Sequence, residues 1–179
     1  PTLLSLVGVA APKEAAGARR TVLNLADIFR YFLRTEQQMR PLEDELEIVE
    51  AYLEIEKLRL GDKLRTEIEV DEKARRTQIP VLSIQPLIEN AVKHGIAPNP
   101  DGGLVRLIAK TQASGLRVTI EDTGAGGNSN SEGGAGVGLE NVRQRLKLCF
   151  GDKADLEMAA SGSGTTVSMW IPTWKEAIR

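Results

Sequence analysis

Seven of the fifteen residues from Gly124 to Gly138 are glycine. A stretch this poor in side chains adds little to a packed core. It does let backbone N–H groups approach an anion, and its freedom suits a lid. A Gly/Ser run is more often an ordinary surface linker. Position argues otherwise here. The run lies between an alternating segment that ends at Glu121-Asp122 and an apolar helical pattern from about Leu139 to Phe150. A helix starting after Gly138 turns unpaired N–H groups and the positive end of its dipole toward phosphate.

The flanking patterns extend this strand–loop–helix unit into a fold class. Leu64, Thr66, Ile68 and Val70 alternate with Arg65, Glu67 and Glu69, a period-two strand. Val105/Leu107/Ala109 and Leu116/Val118/Ile120 predict two more strands. Leu156/Met158/Ala160 and Val167/Met169/Ile171 predict the arms of a hairpin turned by Ser161–Gly164. Ser83–Gly95 predicts a helix, with Ser83 as N-cap and Pro86 in the first turn. The first sixty residues also predict helix. Val22, Leu25, Phe29, Phe32 and Leu33 mark one apolar face. After Pro41, Leu42, Leu46, Val49, Leu53 and Leu60 form one stripe and Ile48, Tyr52 and Ile55 a second, so this helix is expected to be buried on two sides. Arg19, Arg20, Arg30 and Arg34 on the first helix oppose Glu43, Asp44, Glu45, Glu47, Glu50, Glu54 and Glu56 on the second, which suggests side-by-side pairing. The expectation is α+β: a helical hairpin, then a two-layer sandwich of a mixed, mainly antiparallel sheet with helices on one face.

Composition removes several function classes. Lys+Arg number 23 against 25 Asp+Glu, and aromatic residues are 4%, so neither bulk charge nor a stacking platform recruits nucleic acid. One cysteine, Cys149, and one histidine, His94, exclude a disulfide framework and multi-histidine metal sites. No apolar run approaches the ~20 residues of a membrane span, which leads us to expect a cytoplasmic domain. No Gly-Lys occurs for a Walker A loop, and the third glycine of a dinucleotide fingerprint is replaced by Leu139.

Positive chemistry gathers on the Ser83–Gly95 helix. Ile84, Leu87, Ile88, Ala91 and Val92 point to a core. Asn90, Lys93 and His94 share another face at spacings of three and four. An amide oxygen suits Mg²⁺ and an ammonium suits phosphate, so this face opposite a glycine loop fits a magnesium–triphosphate ligand. Asp122-Thr123-Gly124-Ala125 also matches the active-site tetrapeptide of retroviral-type aspartic proteases. That reading needs a second carboxylate and a nearly all-β chain.

Taken in order, these pieces resemble the ATP-binding domain of the GHKL superfamily (the Bergerat fold), shared by histidine kinases, type II topoisomerases, Hsp90 and MutL proteins. The N box resembles Gln85-Pro86-Leu87-Ile88-Glu89-Asn90-Ala91-Val92-Lys93-His94-Gly95. The G1 box resembles Asp122-Thr123-Gly124-Ala125-Gly126. The G2 box resembles Gly136-Val137-Gly138-Leu139-Glu140-Asn141, and Gly164-Thr165-Thr166 matches the closing threonine segment. Pro86–Gly95 and Gly138–Leu146 narrow the resemblance to LytS/YehU-type sensor histidine kinases. So does Leu42-Glu43-Asp44-Glu45-Leu46 leading to Tyr52-Leu53-Glu54-Ile55-Glu56 and Arg59.

The resemblance implies roles. Asp122 would accept from the adenine amino group, with Thr165 in support. Asn90 would hold Mg²⁺. Gly124, Gly126, Gly136 and Gly138 would shape the ATP lid, and Lys93, His94, Leu139 and Asn141 would lie around the phosphates. Asn90, Lys93 and Glu89 are the candidate catalytic residues, although Glu89 sits roughly a hundred degrees around the helix from Asn90. Hydrolytic members carry a general-base glutamate where this chain has Pro86, which favours transfer over hydrolysis. The implied function is transfer of the ATP γ-phosphoryl group to a histidine upstream of this chain, for relay to a response regulator. Homodimerisation and membrane anchoring would come through the full-length sensor, with residues 1–61 as the remnant of its dimerisation and phosphoacceptor region and 62–179 as the ATP-binding domain. The alternatives are a nucleotide-binding module without transfer activity, an anti-sigma-type serine kinase and, remotely, the aspartic protease.

Overall fold

The computed structural model describes residues 39–124 and 135–173. The first helix of the expected hairpin, its arginines, and residues 125–134 of the glycine run lie outside the described residues.

Strand β1 (Met39–Pro41) leads into helix α1 (Leu42–Leu60). Glu43, Asp44 and Glu45 fill the first turn of α1 and Lys57 and Arg59 the last, both matched to the helix dipole. Gly61 ends the helix at φ 59°, with its N–H bonded to the Lys57 carbonyl, a geometry that favours glycine. Then follow β2 (Leu64–Val70), α2 (Glu72–Arg75), β3 (Gln78–Pro80) and α3 (Gln85–Asn90). The chain continues from α3 as a π-helical segment, Ala91–Ile96, and then forms β4 (Gly103–Gln112), β5 (Gly115–Asp122), α4 (Ala135–Phe150), β6 (Asp155–Ser161) and β7 (Gly164–Pro172).

Five strands form one sheet in the order β2-β4-β5-β7-β6. The β2–β4 pair is parallel, Leu64 opposite Gly103, and the other three pairs are antiparallel. A parallel pair needs a crossover, which α2, β3 and α3 supply. β1 pairs with β3 in a separate two-stranded sheet, Met39 opposite Pro80.

Alternate residues of the large sheet face one core. Val105, Leu107, Ala109, Leu116, Val118, Ile120, Met169 and Ile171 are all buried in it. Leu42, Leu46, Val49 and Leu53 of α1, Ile84, Leu87, Ile88, Ala91 and Val92 of the α3 run, and Val142, Leu146 and Phe150 of α4 belong to the same cluster. The alternate sheet residues are mixed, with charged side chains beside Leu104, Ile108 and Trp170. Arg106 donates to Glu67 at 2.7 Å, and the Arg117 guanidinium stacks 5.4 Å over Trp170. The fold is therefore α+β, with a mixed, mainly antiparallel sheet and a helical layer packed on it.

Three local expectations change. The Ser83–Gly95 helix starts at Gln85 and widens to a π-helix at Ala91. Ser83 is not its cap, because its hydroxyl donates to the Pro80 carbonyl at 2.6 Å. The helix expected after Gly138 begins at Ala135, so Gly136 and Gly138 lie inside its first turns rather than in the loop. Glu43 is paired with Arg75 of α2 through bonds of 2.7 and 2.9 Å, while the arginines suggested as partners of the acidic face lie outside the described residues.

Candidate functional site

β5 delivers Asp122 to the edge of the core, where it is 8% exposed. The antiparallel register sets Thr165 of β7 beside it. The Gly124 N–H donates to Asp122 Oδ1 at 3.0 Å. Burial raises the Asp122 carboxyl above the ordinary aspartate value, while the hydrogen bonds from Gly124 and from the backbone and side chain of Thr165 oppose that rise. Thr123 serves the sheet instead: its hydroxyl accepts from the Leu104 N–H at 2.9 Å.

Three glycines permit this arrangement. A methyl group on Gly95 would sit 2.4 Å from Asp122 Oδ1, and one on Gly124 would sit 2.1 Å from the Gly95 carbonyl. Gly164, at φ 140°, would place one 1.8 Å from the Asp122 carbonyl. The π-helix, the end of β5 and the start of β7 thus approach one another closely at Asp122, with Gly95 against its carboxylate and Gly164 against its backbone carbonyl.

Asn90 ends α3, half-buried, directly before the π-helix. Gly138 of α4 lies against its side chain, since a methyl there would be 3.3 Å from Asn90 Nδ2 and 3.5 Å from Oδ1. Lys93 is exposed and His94 half-buried in the π-helix that begins at Ala91. Such π-segments are frequent at functional sites. Glu89 is half-buried and accepts from Gln85 Nε2 at 2.7 Å. Leu139 packs on the core and Asn141 is exposed on α4. Gly126 lies outside the described residues. Of the residues expected at the site, Asp122, Gly124 and Thr165 meet directly, and Asn90 meets Gly138.

Sequence reasoning missed two charged groups that meet the bend before α3. Glu45 of α1 is 1% exposed and reaches the bend between β3 and α3. It accepts from the Leu82 N–H at 2.6 Å and the Ile84 N–H at 3.2 Å. Burial raises its carboxyl. Hydrogen bonds from the backbone at Leu82, Ile84 and Gln85, together with the charge of Arg145, oppose that rise. Arg145 of α4 donates to the carbonyls of Val81 and Leu82 at 2.7 Å each. Leu82 is held at φ 57°, a left-handed conformation that costs a leucine about 1–2 kcal/mol. The signal for Glu45 was present: it falls between Leu42 and Val49 on the buried stripe, where a charge needs partners. Gly95 and Gly164 were quoted within their boxes without the packing role they have here.

The α+β fold sets aside the aspartic protease reading, and comparison with known proteins points to a different family. The family described as histidine kinase-, DNA gyrase B- and HSP90-like ATPase matches residues 78–175, and the histidine kinase family matches residues 2–64. The sensor histidine kinase YesM of Bacillus subtilis is 28% identical over 99% of this chain and 31% of its own length. The sensor histidine kinase/phosphatase LytS of Staphylococcus aureus is 33% identical over 96% of this chain and 31% of its own length. This chain therefore spans about a third of the curated relatives it matches. Among solved structures, the histidine kinase domain of the Erythrobacter litoralis blue-light activated kinase EL346 superposes with a TM-score of 0.62 at 22% identity, covering 97% of this chain and 82% of that one. On the match over residues 78–175, more than half of its length, the chain belongs to the histidine kinase-, DNA gyrase B- and HSP90-like ATPase family, and the relatives it resembles are sensor histidine kinases.

Proposed function

We propose that this chain binds Mg-ATP between Asp122 and Asn90 and is the catalytic part of a sensor kinase. It would pass the γ-phosphoryl group to a histidine elsewhere in the sensor, for relay to a response regulator. The observation that carries the reading is the buried Asp122 carboxylate, with Gly95 packed against it and hydrogen bonds from Gly124 and Thr165. A carboxylate accepts from the adenine amino group and repels the guanine carbonyl, so ATP is favoured over GTP. Asn90 supplies one neutral oxygen to Mg²⁺. Among the described residues no three His, Cys, Asp or Glu side chains converge as metal ligands, so phosphate and water would complete the shell. Lys93, His94 and Asn141 would lie toward the phosphates, with Leu139, Gly136, Gly138 and Gly126 around them.

Positioning and charge neutralisation account for most phosphoryl-transfer catalysis, which suits a site without an obvious base. Pro86 occupies the place of the hydrolytic glutamate, and Glu89 is engaged by Gln85, which supports transfer over hydrolysis. The histidine kinase match to residues 2–64 supports assigning residues 1–61 to the dimerisation and phosphoacceptor region and 62–179 to ATP binding. On that reading the full-length sensor is a homodimer, anchored in the membrane by segments other than these.

Calorimetric titration of Mg-ATP into the folded chain tests the site. Binding is expected, with Asp122→Asn weaker by about 10- to 100-fold, the worth of a hydrogen bond to a charged group. No heat of binding to a folded sample would sink the assignment. A longer chain carrying the upstream histidine should take up acid-labile label from γ-labelled ATP, and absence of label would reduce the reading to a nucleotide-binding module.

A further inference from the structure

We propose that Glu45 and Arg145 are positioning residues for nucleotide binding: they clamp the Val81–Ile84 bend from two sides and so fix the helix that carries Asn90. The proposal rests on the reading that Asn90 and Asp122 take Mg-ATP.

The bend is held by opposite charges from two different elements. Glu45 of α1 accepts the Leu82 and Ile84 N–H groups, and Arg145 of α4 donates to the Val81 and Leu82 carbonyls. Both the N–H and the carbonyl of Leu82 are therefore occupied. Leu82 has φ 57°, and a leucine stays there only when its surroundings over-determine it. The clamp leads directly into the site. The Ile84 carbonyl accepts the first helical bonds, from Leu87 and Ile88, and Asn90 stands at the far end of that helix. α4 meets this run at both ends, with Gly138 against Asn90 and Arg145 at the bend. Those two contacts are two turns apart on α4. A tilt at the bend would therefore move Asn90 against Gly138. Neither Glu45 nor Arg145 lies among the residues assigned to the nucleotide, so both act through the helix.

The test separates positioning from bulk stability by relieving the bend. Glu45→Gln keeps the shape but loses the charge that accepts several N–H groups. Leu82→Gly lets the bend keep its φ without a clamp. With the 179-residue chain, Glu45→Gln should weaken Mg-ATP binding about tenfold well below its melting temperature, and the Leu82 to Gln85 amides should exchange faster. Adding Leu82→Gly should restore affinity to within about threefold of Leu82→Gly alone. Wild-type affinity in folded Glu45→Gln overturns the proposal, as does a loss that Leu82→Gly leaves uncorrected. If Glu45→Gln does not fold, Arg145→Met with and without Leu82→Gly carries the same comparison. Failure of both variants to fold assigns the pair to stability alone and overturns it too. If the wild-type chain binds no Mg-ATP, it is the ATP reading that fails, and amide exchange at the bend still decides whether the clamp exists.

Discussion

Asp122 carries a charge where burial opposes one, and its proton balance should show that. Its folded pKa lies above the ordinary 3.8, so the folded state holds the proton more tightly than the unfolded state. The resulting stabilisation is complete below 3.8 and is lost as pH rises through the folded value. Asp122→Asn has no such proton. Thermal melts without nucleotide should show the variant gaining on wild type as pH rises through that window, even though it binds ATP more weakly. A constant difference across the window would contradict the account. Glu45 shifts the same way, which is why the comparison is between variants and not within wild type. The glycines make a second residue-scale test. Gly95→Ala puts a methyl 2.4 Å from Asp122 Oδ1, and overpacking of this kind costs about 1–3 kcal/mol. Gly162→Ala, with nothing within 4 Å, should stay within about 0.5 kcal/mol of wild type. Urea denaturation compares the two, and calorimetry should show nucleotide affinity falling only for Gly95→Ala.

At the scale of elements, period decided what could be read. β2 spans Leu64–Val70 and β5 ends at Asp122, both as the alternation predicts, because each has one face in the core and one in water. β1 and β3 have three residues each, including a proline, too few to carry a period, and they pair across nearly forty residues of chain. The π-segment is invisible for another reason. Ile84, Leu87, Ile88, Ala91 and Val92 fit an ordinary helix, and the π-segment is marked only by a tertiary contact, Gly95 packed against Asp122. The start of α4 at Ala135 hides in glycines, which carry no apolar pattern. In the proposed site, the residue types were legible because phosphate and adenine chemistry would call for them. The contacts of Glu45 and Arg145 with the bend were not, because they join residues 37 to 64 positions apart. α1 yields its own prediction. Leu46→Ala removes a side chain 1% exposed in the shared core and should cost about 2–5 kcal/mol. Leu58→Ala, 61% exposed on the same helix, should cost less than about 0.5 kcal/mol. Equal urea midpoints for the two would mean that α1 does not pack as described.

For the molecule as a whole, the question is whether α1 unfolds with the sheet or apart from it. Sequence divides the chain near Gly61, but the core does not. Leu42, Leu46, Val49 and Leu53 lie in one cluster with Ile79, Leu87, Val105 and Ile120. Polar contacts cross the same boundary: β1 pairs with β3, Glu43 bonds Arg75, and Glu45 satisfies buried N–H groups at the bend. Removing α1 would expose that apolar surface and give up the bonds those N–H groups make to a carboxylate, each worth about 1.5–3 kcal/mol. Local opening of α1 alone should therefore cost nearly as much as global unfolding. Hydrogen exchange under native conditions measures this directly. Central amides of α1, around Leu46 to Leu53, should exchange with the same opening free energy and urea dependence as those of β4 and β5. A markedly lower opening energy confined to α1 would mean that the helix is a separable lever resting on the ATPase fold. Matching energies would mean that any motion passed down α1 must also strain the sheet and the bend before Asn90.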